Sequence, residues 1–381
     1  MRSEAAGLSS EAAWDAVVIG AGPAGLGSAA MLRKRGLTVL VLERGSAPAW
    51  SWRSRYQSLH LNSLGWLSSL PGLRGGWDWR RYPSRDEWVA YLQRYAFHHE
   101  LTIRFETTAR RLDRESEGWQ IETSEGNLRA GRVVVATGLD KVPFVPSWPG
   151  RESFPGSLIH AAEYRTAEPF RGKDVLVVGA NTTGVELAAE IRAGGAKRVR
   201  VAVRTPPNLL ARYWYGFPMH AFSLILNALP TPLADRMGRA GQRRAFGDLT
   251  PYGLQPAPAG IKTNVLRRGI GPAIDCGFVR AVKEGAIEVI PAVEGFDGAR
   301  VRLGGGGMIE PEIVLAATGY RRGLEELIGH LGVLDAEGRP RIHADGELPG
   351  APGLHFVGYR SNVSGPLHQI RSDARRLAKA A

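Results

Sequence analysis

Two short glycine-rich stretches constrain this chain more than any other feature: GAGPAG at residues 20–25 and GANTTG at residues 179–184. Each follows an apolar run, DAVVI or DVLVV, and precedes a stretch that reads as a helix, with a second apolar run, TVLVLE or RVRVAV, beyond it. Strand, tight turn, helix and strand is the layout of a dinucleotide-binding unit. In the first unit Gly20 permits the bend, Gly22 lets the backbone approach a pyrophosphate, and Gly25 lets the helix pack closely on the strand. Pro23 and Ala24 open that helix, whose N-terminus is where a phosphate sits. A lone GxGxxG means little in a chain with 48 glycines; two complete units mean more. At 381 residues the chain also exceeds the usual size of one hydrophobic core. The expectation is an α/β protein with two Rossmann-like dinucleotide-binding domains.

The ends of the second strands separate the two nucleotides. Glu43, followed by Arg44, places a carboxylate where it can accept hydrogen bonds from ribose hydroxyls, which suits the unphosphorylated ribose of FAD. The second unit instead ends in Arg204 and Thr205, and an arginine there can pair with a 2′-phosphate, which suits NADPH. A solvated strand-end charge is the alternative for Arg204. Asn181 occupies the second-glycine position of GANTTG, followed by Thr182, Thr183 and Gly184 after the opening Gly179. Asparagine tolerates left-handed backbone better than most residues, but its side chain crowds the pyrophosphate. Weaker or altered binding is expected there, not its loss.

Two further apolar strands close on the same tripeptide, RVVVATG at 132–138 and EIVLAATGY at 312–320. In two-dinucleotide flavoproteins such strands pass near the cofactors, so Thr137, Gly138, Thr318, Gly319 and Tyr320 are expected there. Between the two units, FPGSLIHAAEY at 154–164 fits the pattern FxGxxxHxxx(Y/F), the most specific short signal in the chain. A satisfied linker histidine is the expected state of His160. Ser84 and Glu87 have capping-box spacing and predict a helix start. GGGG at 304–307 reads as a hairpin turn.

Composition excludes several classes. Hydrophobic residues make up 44% and charged residues 23%, which suits a globular protein and not a disordered one. The net charge of +12 comes from arginines spread along the chain, which argues for anionic cofactors or substrates over nucleic acid. The single cysteine, Cys276, excludes an internal disulfide and a CxxC redox pair. No metal-ligand spacing is present at His98 and His99. The opening MRSEAAGLSSEAAWD lacks the apolar core of a signal peptide and reads as a short tail. No apolar run reaches the roughly 18 residues that a spanning helix needs, so the expectation is a soluble, cytoplasmic protein. Six tryptophans fall within residues 50–88, where they either line a flavin and a flat substrate or form core. Residues 206–275 read as a substrate wall, a dimer contact or a membrane-surface face; a homo-oligomer stays open.

Taken together, GAGPAG, WRSRYQSLHLNS, YPSRDEWVAYLQRYA, FPGSLIHAAEY, VLVVGANTTGVELAAE, RTPPNLLAR, ATGY and GLHFVGY make a chain that resembles the flavin-containing monooxygenases, within them the YUCCA-type enzymes and their bacterial relatives. The resemblance implies an FAD domain formed by residues 1–165 and 322–381, with an NADPH domain inserted at 166–321. It implies that NADPH reduces FAD, that O2 adds to the reduced flavin as a C4a-(hydro)peroxide, and that one oxygen atom passes to a small substrate, expected to be aromatic or apolar. Oxidative decarboxylation of a 2-oxo acid and N- or S-oxygenation are the reactions it suggests. Asn62 matches the family's asparagine near the flavin, with Trp52 and Ser63 as cofactor contacts. Two other classes stay open: a flavin-dependent NADPH oxidase or reductase without oxygen insertion, and a non-catalytic flavin sensor or basic interaction module.

Overall fold

The computed structural model describes residues 14–381; the tail expected ahead of Trp14 lies outside the described residues. The first glycine-rich turn joins the strand Trp14–Ile19 to the helix Pro23–Arg33 and then to the strand Val39–Leu42. Apolar side chains on both faces let Ala16–Ile19 and Val39–Leu42 be buried, as parallel strands covered on both sides must be. The strand Thr102–Arg104 extends the parallel sheet on one side. On the other side lies the ten-residue strand Gly126–Val135, which has two kinds of neighbour. Its first half pairs antiparallel with Gly118–Thr123, and its last residues pair parallel with Leu354–Phe356 near the C-terminus. The sheet therefore recruits a strand from each end of the chain.

A second sheet of five strands runs in the order Glu288–Pro291, Arg198–Val203, Asp174–Val178, Ile313–Ala316 and Ser157–His160, all parallel. Ser157–His160 precedes the boundary expected at residue 165, yet its backbone pairs with Ile313–Ala316 in this second sheet. The helix Thr182–Ala193 covers one face of it. A short antiparallel pair, Val142–Pro143 with Tyr320–Arg321, ties the two segments that follow the ATG strands.

Local signals translate directly. Ser84 and Glu87 form the reciprocal capping box, and the helix Arg85–His98 follows. GGGG turns the chain between Arg300–Leu303 and Met308–Ile309, with Gly305 and Gly306 at positive φ. The tryptophan cluster divides: Trp88 is fully buried and Trp77 packs against the same core, while Trp50, Trp66 and Trp79 are exposed. The C-terminal helix Pro366–Ala380 lays Leu367, Ile370, Ala374 and Leu377 into the core shared with the first nucleotide helix. Among the described residues no helix is long and apolar enough to cross a membrane, and no cluster of His, Cys, Asp and Glu could hold a metal ion.

Candidate active site

Both glycine-rich turns open onto one cavity of about 880 Å³. In the first turn the three glycines divide their work. Gly20 has φ +108°, and a Cβ there would lie 2.7 Å from the Ala136 carbonyl oxygen. A Cβ on Gly25 would lie 1.7 Å from the Gly20 carbonyl oxygen, so both positions exclude any side chain for packing reasons. Gly22 differs: a Cβ there would meet nothing within 4 Å, because the position faces the cavity. Pro23 and Ala24 line the same wall. The helix they begin has no side-chain cap, which leaves its first N–H groups open to an anion.

The second turn repeats this geometry. Gly179 has φ +109°, and a Cβ on Gly184 would lie 1.9 Å from the Gly179 carbonyl oxygen. Asn181 sits at φ −79°, ψ −176°, next to the −83° and −175° of Gly22. This extended conformation suits any residue, so left-handed tolerance is not what allows asparagine here. What differs from glycine is only the side chain, and that side chain does not cap the helix. Asn181, Thr182 and Thr183 line the cavity.

The remaining expected residues fall into two groups. Glu43, Arg44, Trp52, Asn62, Ser63, Thr137 and Gly138 line the cavity. Glu43 is buried, and its carboxylate accepts from the N–H groups of Ala21 at 2.8 Å and Gly45 at 2.9 Å, which locks the turn to the end of the second strand. Ser63 shares a hydrogen bond with Ser68 at 2.7 Å, and Thr137 shares one with Tyr359 at 2.7 Å. Arg204, Thr205, Thr318, Gly319 and Tyr320 lie outside the cavity lining. Arg204 is exposed just past its strand, and no ion pair engages it among the described residues. Thr318 donates to the Phe144 carbonyl. Tyr320 accepts from Arg55 at 2.6 Å. Gly319 has φ +87°, and its carbonyl accepts from His160 Nε2 at 3.0 Å.

His160 is fully satisfied, because its Nδ1 accepts the Ala162 N–H at 3.0 Å. Burial holds its imidazole below the usual pKa. It is a structural tie between the linker strand and the second ATG turn.

Sequence reading left segment 206–275 open between a substrate wall and two other roles, and it missed His220 and the loop 361–366. The segment 206–275 supplies an apolar wall, including Trp214, Met219, Phe222, Ile225 and Met237. His220 lies in that wall, accepts the Leu64 N–H at 3.3 Å, and is pushed down to about 4 by burial. The loop 361–366 ahead of the C-terminal helix closes another side. None carries a local motif; only the apolar helical stretches of 206–275 gave a hint.

A profile described as pyridine nucleotide-disulphide oxidoreductase matches residues 17–211, just over half of the chain. Indole-3-pyruvate monooxygenase YUCCA1 of Oryza sativa subsp. japonica is 33% identical over 370 residues, spanning 96% of this chain and 90% of that protein. The flavin-containing monooxygenase of Stenotrophomonas maltophilia shares the fold with a TM-score of 0.73 at 23% identity, over 96% of this chain and 97% of that one. The structure of OTEMO in complex with FAD and NADP aligns with a TM-score of 0.72 at 18% identity, over 93% and 81% of the two chains. Within the pyridine nucleotide-disulphide oxidoreductase family, the chain belongs to the YUCCA-type flavin monooxygenases. It is an oxidoreductase of that class, whose cofactors are FAD and NADPH with O2 as co-substrate. A lone cysteine leaves it no dithiol for the disulphide chemistry in the broader family's description.

Proposed function

We propose that this protein oxidatively decarboxylates a small aromatic 2-oxo acid, with FAD in the GAGPAG cradle and NADPH in the GANTTG cradle. The carrying observation is that both cradles, Asn62 and an apolar wall share one cavity. The open space at Gly22 fits a pyrophosphate, and Glu43 stands beside it for the adenosine ribose. In the second cradle the uncapped start of the helix Thr182–Ala193 leaves N–H groups for the NADPH pyrophosphate. Exposed Arg204 is free to meet a 2′-phosphate. On this reading residues 1–165 and 322–381 serve FAD and residues 166–321 serve NADPH, with 206–275 forming the substrate wall. A small-molecule partner follows from the cavity size.

Bound FAD would supply the redox chemistry, accepting hydride from NADPH and activating O2. The chain's own work is to bind, orient and exclude water. Asn62 offers an amide to the flavin side, and Trp214, Met219 and Phe222 present apolar surface that keeps water from the reacting atoms. Arg44, Arg55 and Lys141 give the cavity a cationic side suited to a carboxylate. The name of the rice relative, indole-3-pyruvate monooxygenase, supports an aryl pyruvate as substrate. The balanced reaction takes the 2-oxo acid, O2, NADPH and a proton to the one-carbon-shorter acid, CO2, NADP and water.

The test supplies purified holoenzyme with NADPH, an aryl pyruvate and isotopically labelled O2. One labelled oxygen in the shortened acid supports the reading. NADPH consumption that yields only hydrogen peroxide would sink it in favour of an oxidase.

A further inference from the structure

Behind Asn62 lies a polar group that nucleotide and substrate binding leave unexplained. Glu186 stands on the second nucleotide helix, two residues past Gly184. Its Oε2 accepts a hydrogen bond from the Tyr56 hydroxyl. Part of its side chain faces open space, yet Oε1 is sealed from solvent and has no partner among the described residues. Asn62 interacts with the same carboxyl, and its own Oδ1 is likewise sealed and without a partner. Glu186 Oε1 and Asn62 Oδ1 are thus two buried acceptors that each lack a donor, and buried polar groups are seldom left so. One proton on Glu186 removes the conflict, since a carboxylic acid has an O–H to give.

We propose that Glu186 is the positioning residue of Asn62: the proton on its carboxyl decides which end of the Asn62 amide faces the cavity. With Glu186 neutral, Oε1–H donates to Asn62 Oδ1, and Nδ2 is left as a donor toward the cavity. With Glu186 ionised, Nδ2 turns to donate to the carboxylate and the cavity meets an acceptor. The proton exchanges with solvent, and no other bond is made or broken. This rests on the reading of Asn62 as the amide that serves the cofactors, and the neutral form of Glu186 is then the working one.

The surroundings bring this exchange into the ordinary pH range. Burial pushes the Glu186 carboxyl up to about 7; Tyr56, Arg212 and Asn62 oppose the rise, and Glu190 on the same helix adds to it. Desolvation pushes the Cys276 thiol up to about 11 and the Glu186 charge adds to the rise, so that thiol stays neutral throughout. Tyr56 is pushed far up by burial and by Glu186 itself, and it remains a donor.

The test is infrared titration of the full chain as purified, following the C=O band of a protonated carboxyl as the difference between the parent and Glu186→Gln. A band that disappears as pH rises through about 7 is expected. Asn62→Ala and Tyr56→Phe each remove a group that favours the charged form, so each should move the midpoint up; Glu190→Gln should move it down. A midpoint near the ordinary 4.5, or one that Asn62→Ala leaves in place, overturns the proposal. These readouts need no turnover, so they stand even if the proposed reaction fails. With turnover, product formed per NADPH should fall above the same midpoint in the parent. It should stay level with pH in Glu186→Gln, whose amide is a permanent donor, and drop about tenfold at every pH in Glu186→Ala. A Glu186→Gln enzyme that keeps the parent's pH limb also overturns the proposal.

Discussion

Single atoms decide what each glycine position of the two cradles can accept. Gly22→Ala adds a methyl group to open cavity space, so the fold should hold while FAD affinity falls about tenfold or more, read by fluorescence titration of the apoprotein. Gly25→Ala drives a methyl into the Gly20 carbonyl and should instead cost about 1–3 kcal/mol of stability, read by urea unfolding. Equal effects of the two changes on stability would refute the division of roles. Asn181 has the same backbone torsions as Gly22, so Asn181→Gly should tighten NADPH without a change in stability beyond the cost of added glycine flexibility. At Arg204, replacement by Ala should weaken NADPH about 10–100-fold while NADH barely changes, because only the 2′-phosphate offers a charge-assisted bond. Equal losses for both nucleotides would remove arginine from that role.

Elements carry the next scale, and here the caps and strand ends do the positioning. Ser84 accepts from the Glu87 N–H while Glu87 reaches back to the Ser84 N–H at 2.9 Å. Those bonds hold the Glu87 carboxyl below its ordinary range, although partial burial pulls the other way. Ser84→Ala should cost about 1 kcal/mol, seen in urea unfolding, with cofactor binding retained. Sequence alone announced this helix start, the GGGG turn and both strand-turn-helix units, because each depends on residues a few positions apart. The tryptophans between 50 and 88 were not separable in the same way. Spacing cannot tell Trp88, sunk in the core, from Trp50, left exposed; only the faces of neighbouring elements assign them.

At the scale of the whole molecule, His220 joins the 206–275 segment to the loop of Asn62 through the Leu64 N–H, and its Nε2 lies against the C-terminal loop at Gly365. Its folded pKa of about 4 lies below the ordinary 6.5. The stability it contributes is therefore present above pH 6.5 and lost as pH falls through about 4. His220→Asn should flatten that part of the acid-unfolding curve measured by circular dichroism; an unchanged slope would remove His220 from the acid response. The chain by itself determined the two nucleotide units, the glycines that admit no side chain, the acid at the end of one second strand and the arginine at the other. These follow from local backbone sterics and from apolar runs, which act over a few residues. Tertiary structure alone decided that Tyr56 meets Glu186 across 130 positions and that Leu64 meets His220 across 156. Burial, and with it the ionisation of Glu186 and His220, exists only once distant segments have closed the cavity and excluded water from it.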